Sequence, residues 1–98
     1  MTMSRHLTLR QLHAFCAVAE AGSFTAAATR MHLTQSALSV LVRELESELG
    51  VRLFDRHTRR VLLTEAGHEL MPSAQRMLAE LEQAAQGIEK LRAKRCGR

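Results

Sequence analysis

The sequence has no Trp and no Tyr, and its three aromatic residues are all Phe: Phe15, Phe24 and Phe54. Stacking of unpaired bases on aromatic side chains, a main way of holding single-stranded nucleic acid, therefore has little to work with. There are two cysteines, Cys16 and Cys96, and no CxxC pair, which argues against a zinc ribbon or a dithiol redox centre. Cys16 falls on an apolar helical face and reads as a small core residue, and a reducing, cytoplasmic compartment is expected. The five glycines are scattered singly, so no glycine-rich loop cradles a phosphate. No run approaches the ~18 apolar residues of a membrane span. Residues 1–10 lack an apolar stretch with a small-residue cleavage site, so no signal peptide is expected. His68-Glu69-Leu70-Met71-Pro72 starts like a zinc-protease helix but has proline where the second histidine is needed, and the five histidines show no ligand spacing. Ninety-eight residues suffice for one small domain with a modest core. The expectation is a binding module, not an enzyme, with no cofactor and no metal.

What is present is positive charge, unevenly placed. Lys+Arg is 14 against 10 Asp+Glu, a formal charge of +4. Residues 1–50 are neutral and residues 51–98 carry the whole excess. Arg52, Arg56, Arg59 and Arg60 form one cluster opposed only by Asp55, and Lys90, Arg92, Lys94, Arg95 and Arg98 form a basic tail. Twelve of the 14 cations are Arg, whose planar fork suits phosphate and guanine. Such clusters suggest a polyanion partner, and a merely solvated surface is the alternative.

Helical punctuation recurs along the chain. Residues 1–7 read as a flexible lead. Thr8 and Gln11 fit a capping box, followed by Leu9, Leu12, Phe15, Cys16 and Ala19 at helical spacing, and Gly22 closes the helix. Ser23 caps a short second helix from Phe24 to Met31, where Ala26, Ala27 and Ala28 allow a neighbour to approach closely. His32-Leu33-Thr34 is a tight turn, with His able to adopt positive φ. Thr34 caps a third helix to about Leu49, closed by Gly50. Its apolar side is Leu38, Leu41, Val42, Leu45 and Leu49. Its other side is Ser36, Ser39, Val40, Arg43 and Ser47, a face of short side chains without acids, with Glu44, Glu46 and Glu48 on the flanks.

The period then changes. Val51, Leu53 and Val61, Leu62, Leu63 are short β-prone runs around an arginine-rich tip at residues 55–60. Thr64 caps a last helix from Glu65 to about Ala93, with Pro72 expected to bend its first turns. Along it, Ala74, Leu81 and Ile88 are seven apart, as are Leu70, Met77, Ala84 and Leu91, with Met71, Leu78 and Ala85 on one flank. This heptad seam implies a partner helix, and a single helix folded back on its own domain is the alternative. The chain divides at residues 1–64 and 65–98. The architecture is mainly α: a winged helix-turn-helix, made of a three-helix core and a short β-hairpin wing, followed by a long linker helix for dimerisation.

Residues 9–67 resemble the DNA-binding domain of LysR-type bacterial transcriptional regulators. The matching stretches are Leu9-Arg10-Gln11-Leu12, Gly22-Ser23-Phe24-Thr25 with Ala27-Ala28, and Leu33-Thr34-Gln35-Ser36-Ala37-Leu38-Ser39. Leu45-Glu46, Leu49-Gly50, Leu53-Phe54-Asp55-Arg56 and Leu63-Thr64-Glu65-Ala66-Gly67 complete the set. The resemblance implies a homodimer joined by antiparallel linker helices on an interrupted dyad of double-stranded DNA, and a tetramer in the longer parent. It also implies an effector-binding domain after the linker, which would alone meet a small-molecule effector, so the chain is expected to be a DNA-binding part of a larger regulator. Val40 departs from a position where the family often has a polar or basic residue, and Ala26 replaces a frequently basic one.

Roles follow from residue type and place. Gln35, at the start of the recognition helix 34–49, can bond adenine N6 and N7 together; its alternative is a backbone bond at the helix start. Thr34, Ser36, Ser39 and Val40 are placed for base edges or adjoining backbone, Val40 against a thymine methyl. Arg43 reads as a phosphate anchor or an ion-pair partner of Glu46. Ser23 and Thr25 stand where free N–H groups favour phosphate, and Ser23 is equally explained as a cap. Arg56, Arg59 and Arg60 are wing candidates for phosphate or a narrow minor groove, with a salt bridge inside the domain as the alternative for Arg56. Leu70, Ala74, Met77, Leu78, Leu81, Ala84, Ile88 and Leu91 are the dimerisation candidates. Two rival readings remain open: a coiled-coil module with incidental basic residues, and a winged helix used only for protein contact.

Overall fold

The computed structural model describes residues 6–56 and 60–96. Helix α1 spans Leu9–Ala21, α2 Phe24–Met31 and α3 Gln35–Leu49; strands β1 (Phe54–Asp55) and β2 (Leu62–Leu63) follow, then α4, Glu65–Cys96. Each of the first three helices starts on a hydroxyl that satisfies a backbone N–H the helix itself leaves unpaired. Thr8 Oγ1 accepts from the Gln11 N–H at 3.1 Å, and the Thr8 N–H donates back to Gln11 Oε1 at 3.1 Å. Ser23 Oγ accepts from Ala26 N–H, and Thr34 Oγ1 from Ala37 N–H. The helices end in left-handed residues at Gly22 (φ +68°), His32 (φ +59°) and Gly50 (φ +74°). His32 is the residue that turns α2 into α3, and it tolerates this conformation without being glycine.

The core is built on all three phenylalanines. Phe15 of α1 and Phe54 of β1 are fully buried, with ring centroids 5.4 Å apart, and Phe24 of α2 meets Phe54 edge-on at 5.9 Å. Leu38, Val42 and Leu45 of α3 close the core, while Leu41 and Leu49 are half-buried. Ala27 and Ala28 are buried where α2 packs, as their small size allows.

Strand pairing is shorter than the β-prone runs suggested. β1 and β2 are antiparallel, Phe54 opposite Leu63 and Asp55 opposite Leu62, so Val51 and Leu53 lie outside the ladder. Residues 50–53 instead form an irregular strap from α3 to the wing. Thr64 ties that strap to α4: its N–H donates to Leu53 O (3.0 Å), its hydroxyl donates to Arg52 O (2.7 Å), and its Oγ1 accepts from Gly67 N–H (3.1 Å). A Cβ at Gly67 would lie 2.4 Å from Leu53 O, so glycine is required for α4 to press against the strap.

Helix α4 continues through Pro72 without a break and runs beyond Ala93 to Cys96. Its 32 residues reach about 48 Å at 1.5 Å per residue. The radius of gyration, 16.0 Å, exceeds the ~13 Å of a compact chain of this length; the projecting helix accounts for the excess. Its beginning is part of the core. Ala74 is fully buried, and Leu70, Met71 and Leu78 are half-buried against the same cluster. Ala74 is thus covered by its own domain, and Leu70 and Leu78 are partly covered by it. Among the uncovered apolar residues, Met77, Leu81, Ala84, Ile88 and Leu91 are spaced alternately four and three, which is the pattern of a two-stranded seam, with Ala79, Ala85 and Ala93 also exposed.

Candidate nucleic-acid interface

The capping of α3 by Thr34 and its burial through Leu38, Val42 and Leu45 decide which face looks outward. On that face Ser36, Val40, Arg43 and Ser47 are exposed and Ser39 is half-buried. Val40 is 44% exposed, an apolar side chain in the middle of an otherwise polar stripe. Arg43 has no ion-pair partner among the described residues; its expected alternative partner, Glu46, is occupied elsewhere.

The N-terminus of α3 is tied to α2 through side chains. The Thr25 hydroxyl donates to Gln35 Oε1 at 3.1 Å. Gln35 is exposed, and this bond holds its amide with the –NH2 group directed away from Thr25. The two residues therefore act as a pair: Thr25 orients the amide, and the amide keeps donors and a second acceptor lone pair for an outside partner. Thr25 thus has a role beyond a position at a helix start. Ser23 and Thr34 serve as caps, each with its oxygen engaged by the backbone.

The helical wheel puts Glu46 on a flank, but it is buried, 6% exposed. Its Oε2 accepts from Leu53 N–H at 2.8 Å and from Phe54 N–H at 3.4 Å, and its Oε1 lies 3.4 Å from Arg56 Nη2. The carboxylate thus replaces strand pairing for the strap and fixes the root of the wing on α3. The Arg56 guanidinium also lies over the Phe24 ring, 4.9 Å from its centre. Arg56 thus makes the salt bridge inside the domain that its sequence position allowed, while its side chain stays 34% exposed. No local signal marks Glu46; only the return of residues 52–56 across α3 does.

Arg60 is exposed at the start of the returning arm of the wing, beside a cleft lined by Gly22 and His68. The expected tip residue Arg59, with His57 and Thr58, lies outside the described residues, as do residues 1–5 and Arg98. Cys16 is buried, and burial followed by the charge of Glu20 pushes its thiol up to about 11. It is a protonated core group, not a reactive one. No helix among the described residues is long and apolar enough to cross a membrane, and no group of three His, Cys, Asp or Glu among them could hold a metal.

Two helices joined by a left-handed turn, the second presenting an open face and followed by a short hairpin, define a winged helix-turn-helix. Residues 9–68 match the model of the bacterial regulatory helix-turn-helix protein, lysR family, and the chain belongs to this family of transcriptional regulators. It is 49% identical over 92 residues to an HTH-type transcriptional regulator in the ibpB-leuC intergenic region of Azotobacter vinelandii, covering 94% of this chain and 64% of that one. It is 48% identical over 93 residues to the HTH-type transcriptional regulator PtxR of Pseudomonas aeruginosa, covering 95% and 30%. The chain thus spans less than two-thirds of either relative. Among solved structures, the BenM DBD with catB site 1 DNA superposes with a TM-score of 0.84 at 34% identity, covering 89% of this chain and 98% of that one. The BenM DBD with benA site 1 DNA superposes at 0.82 with the same identity and coverage.

Proposed function

We propose that the chain is the sequence-specific, double-stranded-DNA-binding part of a LysR-type regulator. Residues 1–64 form the reader and residues 65–98 the linker. The observation that carries this reading is the outward stripe Ser36, Ser39, Val40, Arg43 and Ser47 of α3, itself without acids though bordered by the exposed Glu44, with the leading Gln35 amide oriented by Thr25. Helix 34–49 enters the major groove with Gln35, Ser36, Ser39 and Val40 at base edges, Arg43 at a phosphate, and Thr25 and Thr34 beside the backbone at the helix start. The wing, with Arg59 and Arg60, lies along the neighbouring groove. The likeness to the BenM DBD, whose structures contain DNA, supports this docking. Two copies joined by the exposed seam of α4 read an interrupted dyad in the cytoplasm. In the longer protein two dimers assemble into a tetramer, and a separate domain binds the effector.

The preferred duplex is obtainable by selection from random sequence. On it, Gln35→Ala is expected to cost about 1–3 kcal/mol and to relax preference at one base pair of each half-site. Fluorescence anisotropy with a panel of single-base variants measures both. Unchanged affinity and unchanged preference would remove Gln35 and, with it, the proposed docking.

A further inference from the structure

The outward stripe of α3 does not end at Arg43. It runs into a cleft of about 430 Å³ between the C-terminal half of α3 and the strap, whose lining includes Arg43, Ser47, Arg52 and Arg56 around Glu46. Three guanidinium groups thus line a cleft that holds one carboxylate, and two of them, Arg52 and Arg56, lie within 4.0 Å of it. That carboxylate already accepts two backbone N–H groups and pairs with Arg56, while Arg52 Nε stands farther off, 4.0 Å from Glu46 Oε2. The cleft keeps a positive excess.

Arg52 combines a fixed backbone with an open side chain. Its carbonyl oxygen accepts from the Thr64 hydroxyl at 2.7 Å, and the next residue, Leu53, is 1% exposed with its N–H on Glu46. The Arg52 side chain is 64% exposed. A guanidinium on a rigid root loses less freedom on binding than one on a mobile loop. Arg43 and Ser47, one turn apart on α3, bring a second cation and a hydroxyl from the opposite wall. The donor set is an Arg fork with a hydroxyl, which suits a phosphodiester oxygen pair.

The geometry points to a phosphate seat in this cleft: Arg52, with Arg43 and Ser47, grips one backbone phosphate of the duplex at the junction of recognition helix and wing. This rests on the proposed docking of α3 and adds to it a contact from the strap. The contact carries affinity and register, not sequence preference.

The test uses the whole chain and its selected duplex, with single methylphosphonate linkages, which lack charge, introduced at each position. One position per half-site is expected to weaken the wild type and to have a distinctly smaller effect on Arg52→Gln, which keeps Arg43 and Ser47. Arg52→Gln is expected to bind all sequences roughly 3–10-fold less tightly at moderate salt. It should also lower the slope of log K against log salt by about 0.9 per subunit. Arg52→Lys should recover the slope but only part of the affinity. Thermal melting should match the wild type for both variants. An Arg52→Gln protein with wild-type slope and an unaltered methylphosphonate profile overturns the seat. So does a lowered slope with every methylphosphonate effect retained, since Arg52 would then act only through the general field. A wild type that binds no duplex overturns the docking beneath it as well.

Discussion

Glu46→Ala is expected to lower the stability of the protein by about 2–6 kcal/mol, chiefly the cost of leaving two buried N–H donors without an acceptor. Two N–H groups depend on this carboxylate, those of Leu53 and Phe54, and both residues are 1% exposed. Neither has water to fall back on, and each orphaned donor costs about 1–3 kcal/mol. The ion pair with Arg56 adds less than a fully buried one would, because the Arg56 side chain is 34% exposed. Glu46→Gln keeps the shape and one acceptor, so its loss should be about half as large. Urea denaturation followed by circular dichroism measures both. A Glu46→Ala protein within ~1 kcal/mol of wild type would mean that the wing is held by its two-residue strands alone.

The second large effect concerns assembly. On the proposed assembly, Ile88→Glu with Leu91→Glu is expected to turn a dimer into a monomer in sedimentation equilibrium. Operator affinity should fall by about 10²–10⁴, the gain that linking two readers provides. Ile88 and Leu91 are 65% and 60% exposed and lie well past Ala74, where α4 leaves the core. The folded domain should therefore melt as before. An unchanged mass and affinity would assign the exposed seam another role.

These expectations show which parts of the molecule are legible in the sequence. The caps are local, so Thr8, Ser23 and Thr34 declare the helix starts, and Gly22, His32 and Gly50 their ends. The apolar side of α3 follows from its period. Glu46 fails that test because its burial is imposed from outside: the strap folds back over a flank that the helical wheel leaves to solvent. Arg56 follows Glu46 for the same reason, and its position in an arginine-rich stretch resembles that of a free wing residue. Ala74 fits a heptad with Leu81 and Ile88, yet it packs on the core. A periodic pattern records that a face is buried and not against what, so the seam from Met77 onward separates from the intramolecular part only in three dimensions. In the site, the stripe from Ser36 to Ser47 was visible as a pattern. The Thr25–Gln35 bond and the Arg52 root depend on contacts between elements and were not.

The central claim, that this chain reads duplex DNA as a dimer through α3, is tested most directly by selection from a pool of random duplexes. The expected result is enrichment of an interrupted dyad, two inverted half-sites at fixed spacing, whose binding weakens steeply with salt. Recovery of unenriched sequence, bound no more tightly than the starting pool, would contradict it.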